Sequence, residues 1–173
     1  MILRLFVMMC AAFALPACAQ TGQAEADNAM KTSPVIYLVR HAEKQTGSDP
    51  ALTEAGAARA GRLAAQLADA RLQAVYATDT ARAQETARPA ADDHGLEITS
   101  YDARDLAGFA QALKQAGQTA LVVGHSNTTP QLAELLGGEP GPEMDESDYD
   151  RLYAVSLSDG QTRMFVAGGD DHP

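Results

Sequence analysis

The chain has 173 residues and carries 13 Lys and Arg against 23 Asp and Glu, a formal charge of −10 at neutral pH. Such a balance repels phosphate backbones at long range, which excludes nucleic acid as a partner and requires any anionic ligand to be held by local positive groups. Both cysteines, Cys10 and Cys18, fall near the amino terminus, so the rest of the chain has no pair to form a disulfide framework.

The first segment reads as an address. Arg4 is a short positive n-region, and Leu5 to Leu15 is an apolar h-region, too short to span a bilayer but of the right length for a secretory signal. An ordinary amphipathic helix leaves unexplained why no charge appears between Leu5 and Gln20. Two cleavage patterns follow. Ala17-Cys18-Ala19 fits the small-x-small rule, whereas Leu15-Pro16-Ala17-Cys18 looks like a lipobox with Cys18 acylated, although Pro16 is unusual there. The expectation is a signal peptide or lipoprotein signal over 1–19 and an exported product, periplasmic or anchored to the outer membrane through acylated Cys18. Residues 20–33 lack hydrophobic periodicity and read as a flexible tether. The folded domain is then 34–173.

Val35 to Val39 is a continuous apolar run, the pattern of a buried strand. Leu52 to about Asp69 has Ala58, Leu63 and Leu67 at helical spacing, with Thr53 as cap. Ala74 to Ala77 is a second strand and Thr78 a cap. Asp79 to about Asp93 is a second helix, kinked at Pro89. Leu96 to Tyr101 is a third strand, Asp105 to Ala116 a third helix and Thr119 to Gly124 a fourth strand. Thr129 as cap and Pro130 at the first helical position open a fourth helix, which runs to Leu136. Gly137 to Asp150 is a polar surface loop. Leu152 to Leu157 and Thr162 to Val166 form a closing hairpin. The alternation predicts an α/β fold, a three-layer α/β/α sandwich with a mostly parallel central sheet.

The chemistry sits at the strand ends. Arg40 and His41 follow the first strand, Arg82 follows the second and His125 the fourth. In open α/β sheets the carboxyl ends of the strands share one crevice, so these residues converge. Two guanidinium forks, two imidazoles and the N–H groups of a helix start compose a phosphate site. Ser126 and Asn127 lie beside it, and Asn127 is a candidate phosphate ligand.

The motifs resemble those of the histidine phosphatase superfamily, whose fold is phosphoglycerate mutase-like, and the sequence looks like a small phosphohistidine-phosphatase-like member of branch 1. Val39-Arg40-His41-Ala42-Glu43 is similar to its Arg-His-Gly signature, with Ala42 in place of glycine. Leu52-Thr53-Glu54-Ala55-Gly56 resembles the Leu-Thr-x-x-Gly opening of its first helix, and the block from Val75 to Ala87 resembles the one that carries its second arginine. His125 matches its second histidine. The resemblance implies a hydrolase acting on a small phosphorylated substrate, without metal or other cofactor. His41 is then the nucleophile that becomes phosphohistidine, while Arg40, Arg82 and His125 meet the charge on the phosphoryl oxygens. A neutral His41 is required, and the two arginines favour it by lowering its pKa; a backbone carbonyl on the other ring nitrogen would fix the tautomer.

Larger members of the family carry an acid after the third strand to protonate the leaving oxygen. Asp102 is the leading candidate by position, followed by Asp105, Glu143 and Glu146. A catalytically weak phosphate-binding protein is the alternative that an absent acid would allow, and a phosphomutase is a further one. Plainer readings exist for each residue. Arg40 and Arg82 can serve as surface ion-pair formers, and His41 and His125 as structural histidines, although neither has metal-ligand spacing. His94 and His172 read as facing solvent, and the acidic run from Glu139 to Asp150 as merely solvated.

Overall fold

The computed structural model describes residues 33–173. The signal, the acylated Cys18 and the tether up to residue 32 are expectations that lie outside the described residues.

Six strands and four helices follow one another: β1 (Val35–Arg40), α1 (Glu54–Gln66), β2 (Ala74–Thr78), α2 (Ala81–His94), β3 (Ile98–Tyr101), α3 (Leu106–Ala116), β4 (Ala120–Gly124), α4 (Thr128–Leu136), β5 (Arg151–Ser156) and β6 (Thr162–Val166). The sheet order is β3-β2-β4-β1-β5-β6. The first four strands in that order are parallel, and the β5–β6 hairpin adds to β1 antiparallel. Every residue of β1 is buried, because helices cover both faces. Val35, Tyr37 and Val39 pack with Leu63 and Leu67 of α1 and Ala83, Ala87 and Ala90 of α2 on one face. Ile36 and Leu38 meet Leu106, Ala110 and Leu113 of α3 and Leu132 and Leu136 of α4 on the other. The protein is the α/β/α sandwich that the alternation of elements predicts.

Differences of detail have local causes. Thr53 caps α1, its hydroxyl accepting from the Gly56 N–H at 3.1 Å, but the helix ends at Gln66 rather than near Asp69. Thr78 is not a cap: it remains in β2, and the N-cap of α2 is Thr80. Helix α2 runs unbroken through Pro89 to His94. Asp105 caps α3, accepting from the Gly108 N–H at 3.0 Å. Helix α4 starts at Thr128, one residue ahead of the expected Thr129 cap, because the His125 carbonyl already accepts from the N–H groups of Thr128 and Thr129 at 3.2 and 2.9 Å. His94 does not simply face solvent: it is half-buried with Nε2 3.1 Å from the Leu67 carbonyl, and the exposed His172 places Nδ1 3.2 Å from the Gln66 carbonyl.

Because β4 lies between β2 and β1 and all three run the same way, the residues that follow them share one rim of the sheet. There the site assembles.

Candidate active site

The parallel ladder between β1 and β4 ends with Arg40 opposite Gly124, and one further bond, His41 N–H to the Gly124 carbonyl at 2.9 Å, carries it past the strand ends. This bond sets His41 beside His125. Their ring centroids stand 5.4 Å apart in an edge-to-face arrangement. At Gly124 an added Cβ would meet the hydroxyls of Thr128 and Tyr101, each at 2.8 Å, so the turn from β4 into His125 leaves no room for a side chain.

His41 is 3% exposed, and its Nδ1 lies 2.8 Å from the Ala42 carbonyl. A carbonyl can only accept, so Nδ1 carries the proton and Nε2 keeps its lone pair. Burial is the largest influence on the ring and, with the charges of Arg40, Arg82 and His125, lowers its pKa to about 4 despite the opposing pull of the Ala42 carbonyl. The two arginines act in the expected direction, but desolvation outweighs them. His125 is likewise lowered to about 4, first by burial and then by Arg82 and Arg40. Its Nε2 lies 2.9 Å from the Thr78 hydroxyl, which explains why that threonine is unavailable to cap α2.

Arg40 is 2% exposed, not a surface ion-pair former. Its Nη1 donates to the carbonyls of Asp145 and Asp148 at 2.7 and 3.1 Å, and its Nη2 reaches the Glu146 carboxylate at 3.3 Å. Arg82 pairs with Asp49 at 3.6 Å. In both arginines the Nε–H is buried and has no acceptor among the described residues. A buried donor without a partner costs about 1–3 kcal/mol. Two such arginines, whose charges act on both neutral imidazoles, supply unused donors for an oxyanion.

The motif residues hold this arrangement together. Thr86, buried in α2, accepts from the Ala42 N–H at 2.9 Å and donates to the Arg82 carbonyl at 2.7 Å, so a single hydroxyl ties the loop after His41 to the helix that bears Arg82. Ala42 is 1% exposed and packs with Leu52 and Ala60, so the methyl group that a glycine would lack fills core space. The Glu43 carbonyl accepts from the Thr53 N–H at 2.9 Å, and Gly56 sits against that same carbonyl, where a Cβ would collide.

The remaining candidates fare differently. Asp102 binds Arg104 through its carboxylate, at 2.8 Å to Nη2, and is held ionised with its pKa lowered to about 2. The carboxylate's hydrogen bonds all go to Arg104 and none to a residue of the cluster, so the structure does not bring the expected general acid to the site. Asp105 is occupied as the cap of α3. Asn127 is exposed, makes no capping bond, and with Ser126, Glu134, Pro142, Glu143 and Met144 lines a cleft of about 460 Å³ that opens just past His125. A larger cavity, about 550 Å³, lies at the amino ends of β1 and β4 and holds none of the cluster. The acidic run is not merely solvated, since its carbonyls and Glu146 bind Arg40. Tyr149, which no motif marks, lays its ring 4.4 Å from the Arg40 guanidinium carbon. Among the described residues no group of three His, Cys, Asp or Glu is placed to hold a metal ion.

Residues 36–105 match the family model of the histidine phosphatase superfamily (branch 1), spanning β1 to the cap of α3 and including Arg40, His41 and Arg82. That stretch, 70 of the 173 residues, is similar to the superfamily. No curated protein matches its sequence. Solved structures share the fold: alpha-ribazole phosphatase from Shigella flexneri is 20% identical with a TM-score of 0.60, covering 80% of this chain and 98% of its own. The protein histidine phosphatase SixA, complexed with tungstate, is 18% identical with a TM-score of 0.60, covering 77% of this chain and 97% of its own. A mycobacterial glucosyl-3-phosphoglycerate phosphatase is 13% identical with a TM-score of 0.61, covering 80% of this chain and all of its own. At these identities the likeness establishes a shared fold.

Proposed function

We propose that the protein is a phosphatase that hydrolyses a small phosphomonoester through a phosphohistidine on His41. The observation that carries this reading is the His41 ring itself: buried, neutral, with Nδ1–H fixed on the Ala42 carbonyl and within the electrostatic reach of Arg40 and Arg82, each of which keeps an unpartnered Nε–H. Nε2 attacks phosphorus as the bond from phosphorus to the leaving oxygen breaks. Charge on the three equatorial oxygens meets Arg40, Arg82 and His125, donors set in place before the reaction. Water then cleaves the N–P bond and releases phosphate and His41. Tungstate in the SixA complex, a tetrahedral oxyanion, fits such a receptor and supports the comparison.

The leaving oxygen needs a proton. Two carboxylates reach the site's arginines: Asp49, tied down by the Ala81 N–H at 2.9 Å, and Glu146, whose side chain is 84% exposed on a loop. Glu146 is the one of the two with a free-swinging side chain, and its placement at Arg40 is why it, and not Asp102, is assigned the proton donor's role. The adjoining cleft suits a small leaving group, and its two glutamates with no cationic lining residue disfavour the polyanionic substrate a phosphomutase would use. The charge-neutralising groups are all side chains of this protein, so the reaction proceeds without a metal ion. The sequence before residue 33 supports export, to the periplasm or to an outer-membrane anchor at Cys18.

Turnover of an aryl phosphate with and without chelator tests the reading. Wild-type protein hydrolyses it equally in both, and His41→Ala abolishes both turnover and the incorporation of labelled phosphate. A His41→Ala protein with full turnover overturns the assignment. Binding without turnover in the wild type favours the phosphate-binding alternative. Cys18→Ala releases the product from the membrane fraction if that residue is acylated.

A further inference from the structure

The segment from Asp145 to Tyr149 belongs to no helix or strand, yet it reaches the centre of the site. Its first four residues form a self-locked turn. The Asp148 N–H donates to the Asp145 carbonyl at 3.2 Å and the Asp145 N–H to the Asp148 carboxylate at 3.1 Å, while Asp145 Oδ1 accepts from the N–H and the hydroxyl of Ser147, each at 2.6 Å. A turn tied at both ends presents two carbonyls in one direction, and both bind Arg40 Nη1, at 2.7 and 3.1 Å. Nη1 has two hydrogens, so they are both used. The next residue, Tyr149, covers the guanidinium face at 4.4 Å, and its ring centroid is 6.1 Å from that of His41.

A guanidinium held at one end and across one face has a single orientation, and here the buried Nε–H, on the same edge as the second Nη2 hydrogen, is left without a partner. We infer that Tyr149 is a positioning residue: with the Asp145–Asp148 turn it clamps Arg40 so that the Nε edge meets the incoming oxyanion, and its ring keeps water from His41. This rests on the phosphoryl-binding reading of the cluster. Loss of the ring frees Arg40 to rotate and hydrates His41, whose other neighbours, Arg82, His125 and the Ala42 carbonyl, remain in place.

The test compares wild type with Tyr149→Phe, Tyr149→Leu and Tyr149→Ala in three measurements: calorimetric binding of orthovanadate, KM and kcat on an aryl phosphate, and the pH profile of kcat/KM. Tyr149→Phe keeps the ring face and behaves as wild type within about twofold. Tyr149→Leu, which retains apolar volume and guards against a folding defect in Tyr149→Ala, weakens vanadate binding and raises KM on the order of tenfold, with a smaller change in kcat. It also moves the acid limb of the profile upward, which a purely structural role would not do. Tyr149→Leu binding vanadate as tightly as wild type, or Tyr149→Phe losing as much as Tyr149→Leu, overturns the clamp. A wild type that binds vanadate but does not turn over refutes the phosphatase reading alone, because the binding comparison still decides the clamp. A wild type that does not bind vanadate refutes both.

Discussion

The sharpest consequence of the site's electrostatics is its acid tolerance. An isolated imidazole with pKa 6.5 is roughly 9% neutral at pH 5.5, whereas His41 at about 4 is roughly 97% neutral there, about a tenfold difference in usable nucleophile. Proton NMR of the histidine rings between pH 3.5 and 8 reads the ionisation directly and is independent of substrate titration. Two of the four histidines should titrate near 4, and His41→Gln and His125→Gln should each remove one of those resonances. Arg82→Gln tests the cause: burial is the leading influence on His41, so losing that charge leaves the ring well below 6.5. The same shifts fix the sign of the stability profile. The unfolded rings take up protons near 6.5 and the folded rings only near 4, so acid favours the unfolded chain in between. Stability is complete above 6.5 and is lost as the pH falls through about 4. A His41 resonance titrating at 6 or above refutes the reasoning, because the ring would then be hydrated.

Thr86→Val removes a buried hydroxyl that both accepts and donates, and should cost about 1–3 kcal/mol in chemical denaturation as well as activity, with Thr86→Ser restoring most of both. Gly56→Ala drives a methyl group into the Glu43 backbone and should lower stability by about 1–3 kcal/mol, seen as a reduced thermal midpoint. Asp102→Asn should leave kcat and KM within about twofold, since its partner Arg104 is itself exposed and neither touches the cluster. Glu146→Gln should slow alkyl phosphates by about 10²-fold or more and aryl phosphates far less, because only the poorer leaving group needs the proton.

Much of this was legible in the chain. Val35 to Val39 and Leu121 to Val123 announce buried parallel strands because neither contains a charged residue, and Arg40, His41 and His125 lie at their exits, where parallel strands must share a rim. Helix boundaries were less so. Thr78 has the residue type of a cap, but His125 competes for its hydroxyl, and that competition exists only after β2 and β4 have paired. Asp102 was a candidate because of its place after β3, and nothing in its position reveals that Arg104 neutralises it. The role of the 145–149 segment was the hardest to see. Its composition is that of a solvated loop, and Asp145-Glu146-Ser147-Asp148 shows only that a tight turn forms, not that its carbonyls face a buried arginine more than a hundred residues earlier.

The bond from His41 N–H to the Gly124 carbonyl makes the distance between the two imidazoles a matter of strand alignment rather than of loop length. Slipping one strand against the other by a single residue would turn its whole row of side chains to the opposite face, so no intermediate spacing is available. Segments between the strands can therefore lengthen, shorten or change composition while the pair of rings stays put. For an engineer, the cleft walls can be rewritten without disturbing the paired imidazoles, whereas a shift of β1 against β4 is all or nothing.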